Sequence, residues 1–214
     1  MDFVLPGQEI EQLAGTLSKH QAESLTAYGE AILAASLRMN LVSRRSLESL
    51  AEHFIDSAAL LSVVDPGAGE LADLGSGAGF PGIVVSILRP QAHVTLVDSR
   101  RSKVVFLKDV QRRVGLSNVS ILHERLEDLA GRVEFELATA RALGDVETAL
   151  PWCLRLLSSG GRLVLFKGPG WSEETERARA VAEQYGAEVA RTETVELPGL
   201  SRATTFVEFH VKHE

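Results

Sequence analysis

The chain has 214 residues, of which 45% are hydrophobic and 24% are charged, a composition typical of a globular protein with a buried core. Its net charge of −7 excludes a protein that binds nucleic acid through a general excess of Lys and Arg, so any basic surface must be local. The one cysteine excludes an internal disulfide and a cysteine-based zinc cluster, and no metal site is expected.

The first residues carry acidic side chains and lack the basic start and apolar run of a signal peptide. The uncharged apolar stretches, such as Gly82 to Leu88, are far too short to cross a bilayer. We therefore expect a cytoplasmic protein that makes no membrane contact.

Residues 1–65 have the apolar spacing of helices and contain no strand-like run. Apolar residues recur every three to five positions over three stretches, which are Leu13 and Leu17, then Leu25, Tyr28, Ile32 and Leu37, and then Leu47, Leu50, Phe54, Ala58 and Leu61. The turn-rich run from Asp65 to Gly69 ends this pattern. We expect a helical N-terminal segment, residues 1–65, that packs on a core domain, residues 66–214.

After this break, strands and helices alternate. Strands are predicted at Glu70–Leu74, His93–Asp98, Val119–His123, Glu136–Ala140, Arg162–Lys167, Glu188–Val195 and Thr204–Val211. Helices are predicted at Pro81–Leu88, Arg101–Val114, Asp145–Leu157 and Ser172–Tyr185. Helical crossovers join parallel strands, whereas the short link before the last strand makes that strand antiparallel. The sequence thus predicts an α/β fold with a doubly wound, mainly parallel, Rossmann-like sheet of seven strands, a topology seen in methyltransferases.

The richest motif is Asp-Leu-Gly-Ser-Gly-Ala-Gly-Phe-Pro-Gly, residues 73–82, which follows the first strand and opens a helix. Its glycines let the backbone turn sharply and approach a ligand with no Cβ in the way. The motif contains G-x-G-x-x-G, the dinucleotide fingerprint, but its glycine series begins two residues earlier, at Gly75. We expect cofactor contacts from the residues of this loop, Gly75, Gly77, Gly79 and Phe80.

Two carboxylates end neighbouring strands. Asp73 ends the first strand, where it can meet a cationic group such as the amino group of a methionine moiety. A dinucleotide loop would instead offer helix N–H groups to an anionic pyrophosphate. Asp98 ends the second strand, where it can accept hydrogen bonds from ribose hydroxyls. This combination favours S-adenosyl-L-methionine, with S-adenosyl-L-homocysteine as the product.

The loop after the third strand, residues 123–128, is expected to lie against adenine. Backbone groups of Leu126 and Glu127 could read the edge of the ring, and Asp128 is a weaker candidate.

The fourth strand is followed by Ala-Arg-Ala-Leu, residues 140–143, which lacks the Pro-Pro-aromatic motif of enzymes that methylate exocyclic amino groups. Cys153 lies in an apolar helical stretch and is predicted to be a buried hydrophobe rather than a nucleophile.

No general base is evident among the predicted site residues. Ring N7 of guanine fits this absence, because it presents a lone pair that needs no deprotonation.

Three cations fall at the same edge of the predicted sheet: Arg141 and Lys167 at strand ends, and Arg202 before the antiparallel strand. They could grip phosphates or guanine O6. A second basic group is either a solvated helix face or an RNA contact: Arg100, Arg101, Lys103, Lys108, Arg112 and Arg113.

Three motifs resemble the bacterial 16S rRNA guanine-N7 methyltransferase family RsmG, also called glucose-inhibited division protein B. They are Asn-Leu-Val-Ser at residues 40–43, His-Phe-Ile-Asp-Ser at residues 53–57 and the glycine loop with its Phe-Pro-Gly ending. Arg-Ala at 141–142 and Phe-Lys-Gly at 166–168 fit as well. The resemblance implies methyl transfer to a guanosine in the decoding-region loop of 16S rRNA, within the small subunit or an assembly intermediate.

The resemblance also implies roles for particular residues. The cofactor contacts that match by position are Gly75, Phe80, Leu126, Glu127 and Arg141. Arg141, Lys167 and Asn40 are the implied catalytic residues, and the implied RNA contacts are Lys103, Arg125, Lys167 and Arg202. Alternatives are an NAD(P)-dependent Rossmann oxidoreductase, a small-molecule methyltransferase and a non-catalytic RNA-binding or ribosome assembly factor.

Overall fold

The computed structural model describes residues 3–37, 41, 47–142, 144–168 and 171–212. Before the first strand, these residues form helices α1 (Gly7–Ala14), α2 (Lys19–Ser36) and α3 (Leu50–Val63). Helix α2 begins with a capping box, in which Ser18 Oγ accepts from the backbone N–H of Gln21 and the Gln21 side chain accepts from the N–H of Ser18. The predicted division of the chain at residue 65 stays a prediction.

The strands are β1 (Glu70–Leu74), β2 (His93–Val97), β3 (Val119–Leu122), β4 (Phe135–Arg141), β5 (Leu157–Lys167), β6 (Ala187–Glu196) and β7 (Ala203–Val211). They form one sheet in the order β3-β2-β1-β4-β5-β7-β6. Strands β1 to β5 run parallel to one another, and β7 lies antiparallel between β5 and β6. The predicted fold class is confirmed, including the antiparallel last strand.

The helices that connect the strands are α4 (Gly82–Leu88), α5 (Arg101–Val114), α6 (Leu126–Leu129), α7 (Val146–Leu154) and α8 (Trp171–Gln184). Helix α5 ends at Gly115, whose left-handed conformation has φ 77°. Within the described part of the chain, every helix is too short or too polar to span a membrane.

Each face of the sheet packs against a different set of helices. The front face, as we name the side with Leu71 of β1 and Leu137 of β4, forms one core with α1 to α5. The back face, with Leu74 of β1 and Leu165 of β5, packs against α7 and α8. Because side chains alternate along a strand, a residue's place in its strand decides which set of helices it meets.

The fifth strand differs from its prediction. It was expected at Arg162–Lys167 but begins at Leu157, where it pairs with Phe135, and helix α7 ends earlier than predicted, at Leu154. The added residues include Gly160, which has φ 75°, and the register with β4 is irregular at this point. A glycine pair in a short polar run is typical of a turn, and here it forms an irregular strand start instead.

Candidate active site

The glycine loop joins β1 to α4 and bends back over the end of β2. Gly75 and Gly77 have positive φ values of 78° and 58°, which side chains rarely adopt. The N–H groups of Gly75 and Ser76 both donate to the carbonyl of Val97 at 2.9 Å. Ser76 Oγ in turn accepts from the N–H of Val97 at 3.1 Å. The loop is therefore fixed to the tip of the neighbouring strand.

Asp98 follows β2, where it supports both the loop and the next turn. Its Oδ2 accepts from the N–H of Gly77 at 2.9 Å, and its Oδ1 accepts from the N–H of Arg100 at 2.8 Å. The Arg100 guanidinium also lies 3.4 Å from Oδ1, although most of that side chain is exposed. The carboxylate thus joins the tips of two strands while retaining lone pairs for a ligand.

An open cleft of about 480 Å³ lies at these strand tips. Four predicted cofactor contacts, Gly75, Asp98, Leu126 and Glu127, line it. Its other lining residues include Arg125, which was predicted to bind RNA, and Ala142 and Gly144, which follow β4. A cleft outside the carboxyl ends of parallel strands is the usual ligand site of doubly wound sheets.

Asp73 does not line this cleft. It lies fully buried beneath the loop, and its Oδ2 accepts from the N–H of Gly82 at 2.9 Å. Its Oδ1 is buried without a hydrogen-bond partner among the described residues. Burial raises the pKa of this carboxyl to about 7, although hydrogen bonds from Gly82 and Ser76 oppose the shift.

Phe80 lies on the front face within an aromatic cluster, together with rings from the helices before β1. Its ring centroid is 5.3 Å from Tyr28, 5.2 Å from Phe54 and 5.5 Å from His53. The Tyr28 hydroxyl donates to the carbonyl of Ala78 in the loop at 2.8 Å. Gly79, with φ 103°, has no room for a side chain, since a Cβ there would lie 2.9 Å from the Tyr28 oxygen. Helices α2 and α3 therefore pack directly under the loop.

Arg141 ends β4 with its side chain on the front face, where it meets α3. Its Nη2 donates to Nδ1 of His53 at 2.7 Å and to Oδ2 of Asp56 at 3.1 Å. The guanidinium also lies 5.7 Å from the centre of the Phe166 ring. Its Nη1 is buried without a hydrogen-bond partner among the described residues. Burial lowers the pKa of Arg141, and the negative charges of Asp56 and Asp73 oppose that shift.

Arg202 shares the Asp56 carboxylate with Arg141. Its Nη1 and Nη2 lie 3.3 and 3.1 Å from the two oxygens of Asp56, and its Nε donates to Glu52 at 3.1 Å. Thr204 Oγ1 also bonds Asp56, whose side chain is almost completely buried. Burial lowers the pKa of Arg202, but its hydrogen bonds and ion pairs with Asp56 and Glu52 outweigh this and raise it overall.

Lys167 lies at the same sheet edge as Arg141 but next to other partners. Its Nζ donates to Oε2 of Glu174 at 2.6 Å and lies 5.2 Å from the centre of the Trp171 ring, both on α8. Lys167 also lines a small cavity of about 70 Å³, which shares Ala142 and Gly144 with the larger cleft. The structure thus brings Arg141 and Arg202 together, and Lys167 stands apart from them.

The remaining predicted residues lie in different settings. Lys103 of α5 is buried, and its Nζ donates to the carbonyl of Leu41, so a contact with RNA would require the amine to leave this bond. Burial and the neighbouring Arg100 lower its pKa. Asn40 lies outside the described residues. Cys153 lines the small cavity from α7, and burial raises the pKa of its thiol to about 12, which is not the state of a nucleophile.

Three residues at the centre of this region were not predicted as site residues: Tyr28, His53 and Asp56. His53 and Asp56 belong to the motif at residues 53–57, which contributed only to the family resemblance. Burial and Arg141 lower the pKa of His53 to about 4, so the ring is neutral at physiological pH. A signal did exist, because His53 and Asp56 are polar residues three positions apart in a helix whose buried face is mainly apolar, where buried polar groups require partners.

The sheet order, the glycine loop and the cleft at the strand tips define a class I methyltransferase fold. A solved structure titled as TYW2 of M. jannaschii in complex with AdoMet has a TM-score of 0.60 and 12% identity, over 82% of this chain and 80% of that one. The chain belongs to the family described as "GidB: rRNA small subunit methyltransferase G", which matches residues 21–203.

Individual relatives agree with this family. A protein of Lactobacillus delbrueckii subsp. bulgaricus, named ribosomal RNA small subunit methyltransferase G, is 34% identical over 92% of this chain and 89% of its own length. A protein of the same name from Syntrophomonas wolfei subsp. wolfei is 37% identical over 78% of this chain and 79% of its own length. The family resemblance predicted from the motifs is therefore confirmed.

Proposed function

We propose that the protein transfers a methyl group from S-adenosyl-L-methionine to N7 of a guanosine in the decoding-region loop of 16S rRNA. The observation that carries this proposal is the cleft of about 480 Å³ at the strand tips, lined by Gly75 of the glycine loop and by Asp98. Membership of the rRNA small subunit methyltransferase G family supports the class of substrate.

The residues around the cleft fit the nucleoside part of the cofactor. Gly75 and Gly77 have no Cβ, so the backbone can adopt positive φ values there and can approach a ligand closely. Asp98 has lone pairs left for ribose hydroxyls after its two backbone hydrogen bonds. Backbone groups of Leu126 and Glu127, which also line the cleft, would read the adenine edge.

Two buried atoms of opposite charge fit the methionine part. Within the described residues, Asp73 Oδ1 and Arg141 Nη1 have no hydrogen-bond partner. Leaving such a buried atom unpaired costs roughly 1–3 kcal/mol, and more for a charged group. An amino acid carries one positive and one negative group, so Asp73 would hold its amino group and Arg141 its carboxylate, which requires the loop above Asp73 to move when the cofactor binds.

The bound cofactor would supply an electrophilic methyl group on a sulfonium. Guanine N7 offers an unprotonated lone pair, so the protein has to hold the base in line and exclude water rather than remove a proton. The state of His53 agrees with a reaction that needs no general base. Its Nδ1 already accepts from Arg141, and its pKa is about 4. Catalysis would therefore rest on positioning and electrostatics.

We propose further that cations at the cleft edge contact the RNA. Arg125 lines the cleft, and Arg202 and Lys167 lie at the same edge of the sheet. Asn40 and Lys103 are proposed substrate contacts from the resemblance alone. A net charge of −7 gives little non-specific attraction to RNA, which favours a small ribosomal subunit or assembly intermediate over free rRNA.

The oxidoreductase alternative fits this loop less well. A dinucleotide site needs the N–H groups at the start of the helix for a pyrophosphate, whereas the N–H of Gly82 already donates to Asp73. Gly82 is also packed from both sides, since a Cβ there would lie 2.2 Å from Leu96 Cδ2. Calorimetry with S-adenosyl-L-homocysteine and with NAD separates the two proposals, and we expect tight binding of the former alone.

The decisive experiment is a transfer assay with methyl-labelled S-adenosyl-L-methionine. Small subunits that lack the modification should gain one label, at N7 of a single guanosine, and subunits that already carry the methyl group serve as the matched control. Free 16S rRNA should be labelled more slowly. Binding of the cofactor without transfer to either substrate would favour a non-catalytic assembly factor and would overturn the proposal.

A further inference from the structure

The first turns of α3 carry three polar residues whose side chains all point toward the two arginines of the site. Glu52, His53 and Asp56 lie three or four positions apart or side by side on this helix. In sequence they are far from the arginines they bind, by 85 to 150 residues. This helix precedes the sheet, and neither the cofactor loop nor the strand tips include it.

Each of the three residues contacts one or both of the two arginines. His53 bonds Arg141, at 2.7 Å, and Glu52 bonds Arg202, at 3.1 Å. Asp56 bonds both, with 3.1 Å contacts to each guanidinium. One buried carboxylate therefore fixes the relative position of a side chain at the end of β4 and one in the loop before β7.

Burial makes this arrangement specific. The Asp56 side chain is 6% exposed, so its charge is compensated by the two guanidiniums and by Thr204 rather than by water. Arg141 uses Nη2 for His53 and Asp56 and keeps Nη1 unpartnered among the described residues. Arg202, with 40% of its side chain exposed, stays accessible to a ligand from solvent.

We propose that Asp56 is a positioning residue that couples the cofactor site to the RNA site, with His53 aligning Arg141 and Glu52 aligning Arg202. This inference rests on the proposed function, in which Arg141 binds the methionine carboxylate and Arg202 binds RNA. An RNA phosphate that binds Arg202 while this side chain keeps its bonds to Asp56 restrains the shared carboxylate, and Arg141 is then held in position before the cofactor binds. The cofactor and the RNA should therefore bind with positive cooperativity.

The arrangement allows matched substitutions on one helix. His53→Phe keeps a ring against Phe80 but removes the acceptor for Arg141, and Glu52→Gln removes the charge beside Arg202. Asp56→Asn keeps the size of the side chain but removes the charge shared by both arginines. Glu23→Gln on α2, where Glu23 forms only an exposed 3.8 Å ion pair with Lys19, is the control.

The experiment measures KM for S-adenosyl-L-methionine and for unmodified small subunits, together with kcat, in each variant. Loss of a hydrogen bond to a charged group changes affinity by about tenfold or more. We expect His53→Phe to raise only the KM for S-adenosyl-L-methionine, Glu52→Gln to raise only the KM for subunits, and Asp56→Asn to raise both. Glu23→Gln should match the unaltered protein.

Cooperativity is tested by binding S-adenosyl-L-homocysteine with and without a saturating 16S rRNA fragment. The fragment should tighten binding to the unaltered protein several-fold and should have no such effect in Asp56→Asn. The helix α3 would have a merely structural role if all three variants raised both KM values equally, in proportion to the fall in their melting temperatures. If Asp56→Asn fails to fold, the separate KM effects of His53→Phe and Glu52→Gln, together with the effect of the fragment on the unaltered protein, still decide the proposal. An unaltered protein that binds no S-adenosyl-L-homocysteine would instead overturn the proposed function itself.

Discussion

The two faces of the sheet are both well packed, but among the described residues the helices of the front face bring an aromatic and charged cluster to the strand tips, whereas those of the back face bring mainly apolar side chains and one ion pair. On the front face, helices α2 and α3 contribute Tyr28, His53 and Asp56, which contact the glycine loop and Arg141. On the back face, α7 contributes Cys153 among apolar neighbours, and α8 pairs with Lys167. The helices before the sheet are thus part of the candidate active site.

The largest expected effect is that of a methyl group added at Gly82 on the front face. In Gly82→Ala, the Cβ would lie 2.2 Å from Leu96 Cδ2 and 2.7 Å from Asp73 Oδ2, so both must move. Such overpacking should lower the free energy of unfolding by about 2–3 kcal/mol, measured by chemical denaturation. Gly131→Ala is the control, because it has open space around it and should lose only about 1 kcal/mol through its positive φ of 78°.

The substitution Arg141→Ala should have the next largest effect. It removes the one guanidinium that contacts both His53 and Asp56, and Asp56 keeps its bonds to Arg202 and Thr204, so the fold should persist. We expect affinity for S-adenosyl-L-homocysteine to fall by about tenfold to a hundredfold, measured by calorimetry. Arg141→Lys should recover part of this affinity. Unchanged binding in Arg141→Ala would mean that the front face is only a packing surface.

Because the pKa of Asp73 on the front face is raised, the affinity for the ligand should depend on pH. The ligand's amino group should bind the ionised carboxylate, which predominates above the folded-state pKa of about 7. Affinity for S-adenosyl-L-homocysteine should therefore drop by about tenfold per pH unit as the pH falls below about 7. Asp73→Asn should bind weakly and with little pH dependence. His53 does not interfere in this range, since its pKa is about 4.

The same group should affect the stability of the protein without ligand in the opposite direction. A carboxyl with a raised pKa holds more protons in the folded than in the unfolded state between about pH 4 and about pH 7. Its contribution to stability is fully present below the unfolded-state pKa and is lost as the pH rises through about 7. The unfolding free energy of Asp73→Asn, compared with the unaltered protein, should improve over this range. A constant difference would contradict a raised pKa.

The smallest effect is expected on the back face. Cys153 is 1% exposed and packs among apolar side chains, so Cys153→Ala should lose about 1 kcal/mol of stability through the small cavity it leaves. Its methyltransferase activity should equal that of the unaltered protein, because a thiol with a pKa of about 12 is not an effective nucleophile. A large loss of activity with unchanged stability would break the contrast between the two faces.

Local sequence patterns were enough to predict the seven strands, the antiparallel direction of the last one and the residues at the strand tips. Gly75, Asp98, Leu126 and Glu127 line one cleft because parallel strands all end at one edge of the sheet. Two things were beyond such patterns. The partners of Arg141 lie 85 and 88 residues away on another element. Asp73 stays a predicted ligand contact, but its full burial beneath the loop, where it accepts from the N–H of Gly82, depends on tertiary packing.

The insertion of β7 between β5 and β6 has a consequence for how the protein forms. During synthesis β6 leaves the ribosome first, but it has no partner in the sheet until β7 follows, since both β5 and β6 pair only with β7 on that side. Until then, the exposed edge of β5 can pair with other chains. Arg202 and Thr204 arrive with this same hairpin, so Asp56 acquires these two partners only when the sheet closes. The Asp56 network is therefore completed only when the last hairpin joins the sheet, after the strands that carry the cleft have been made.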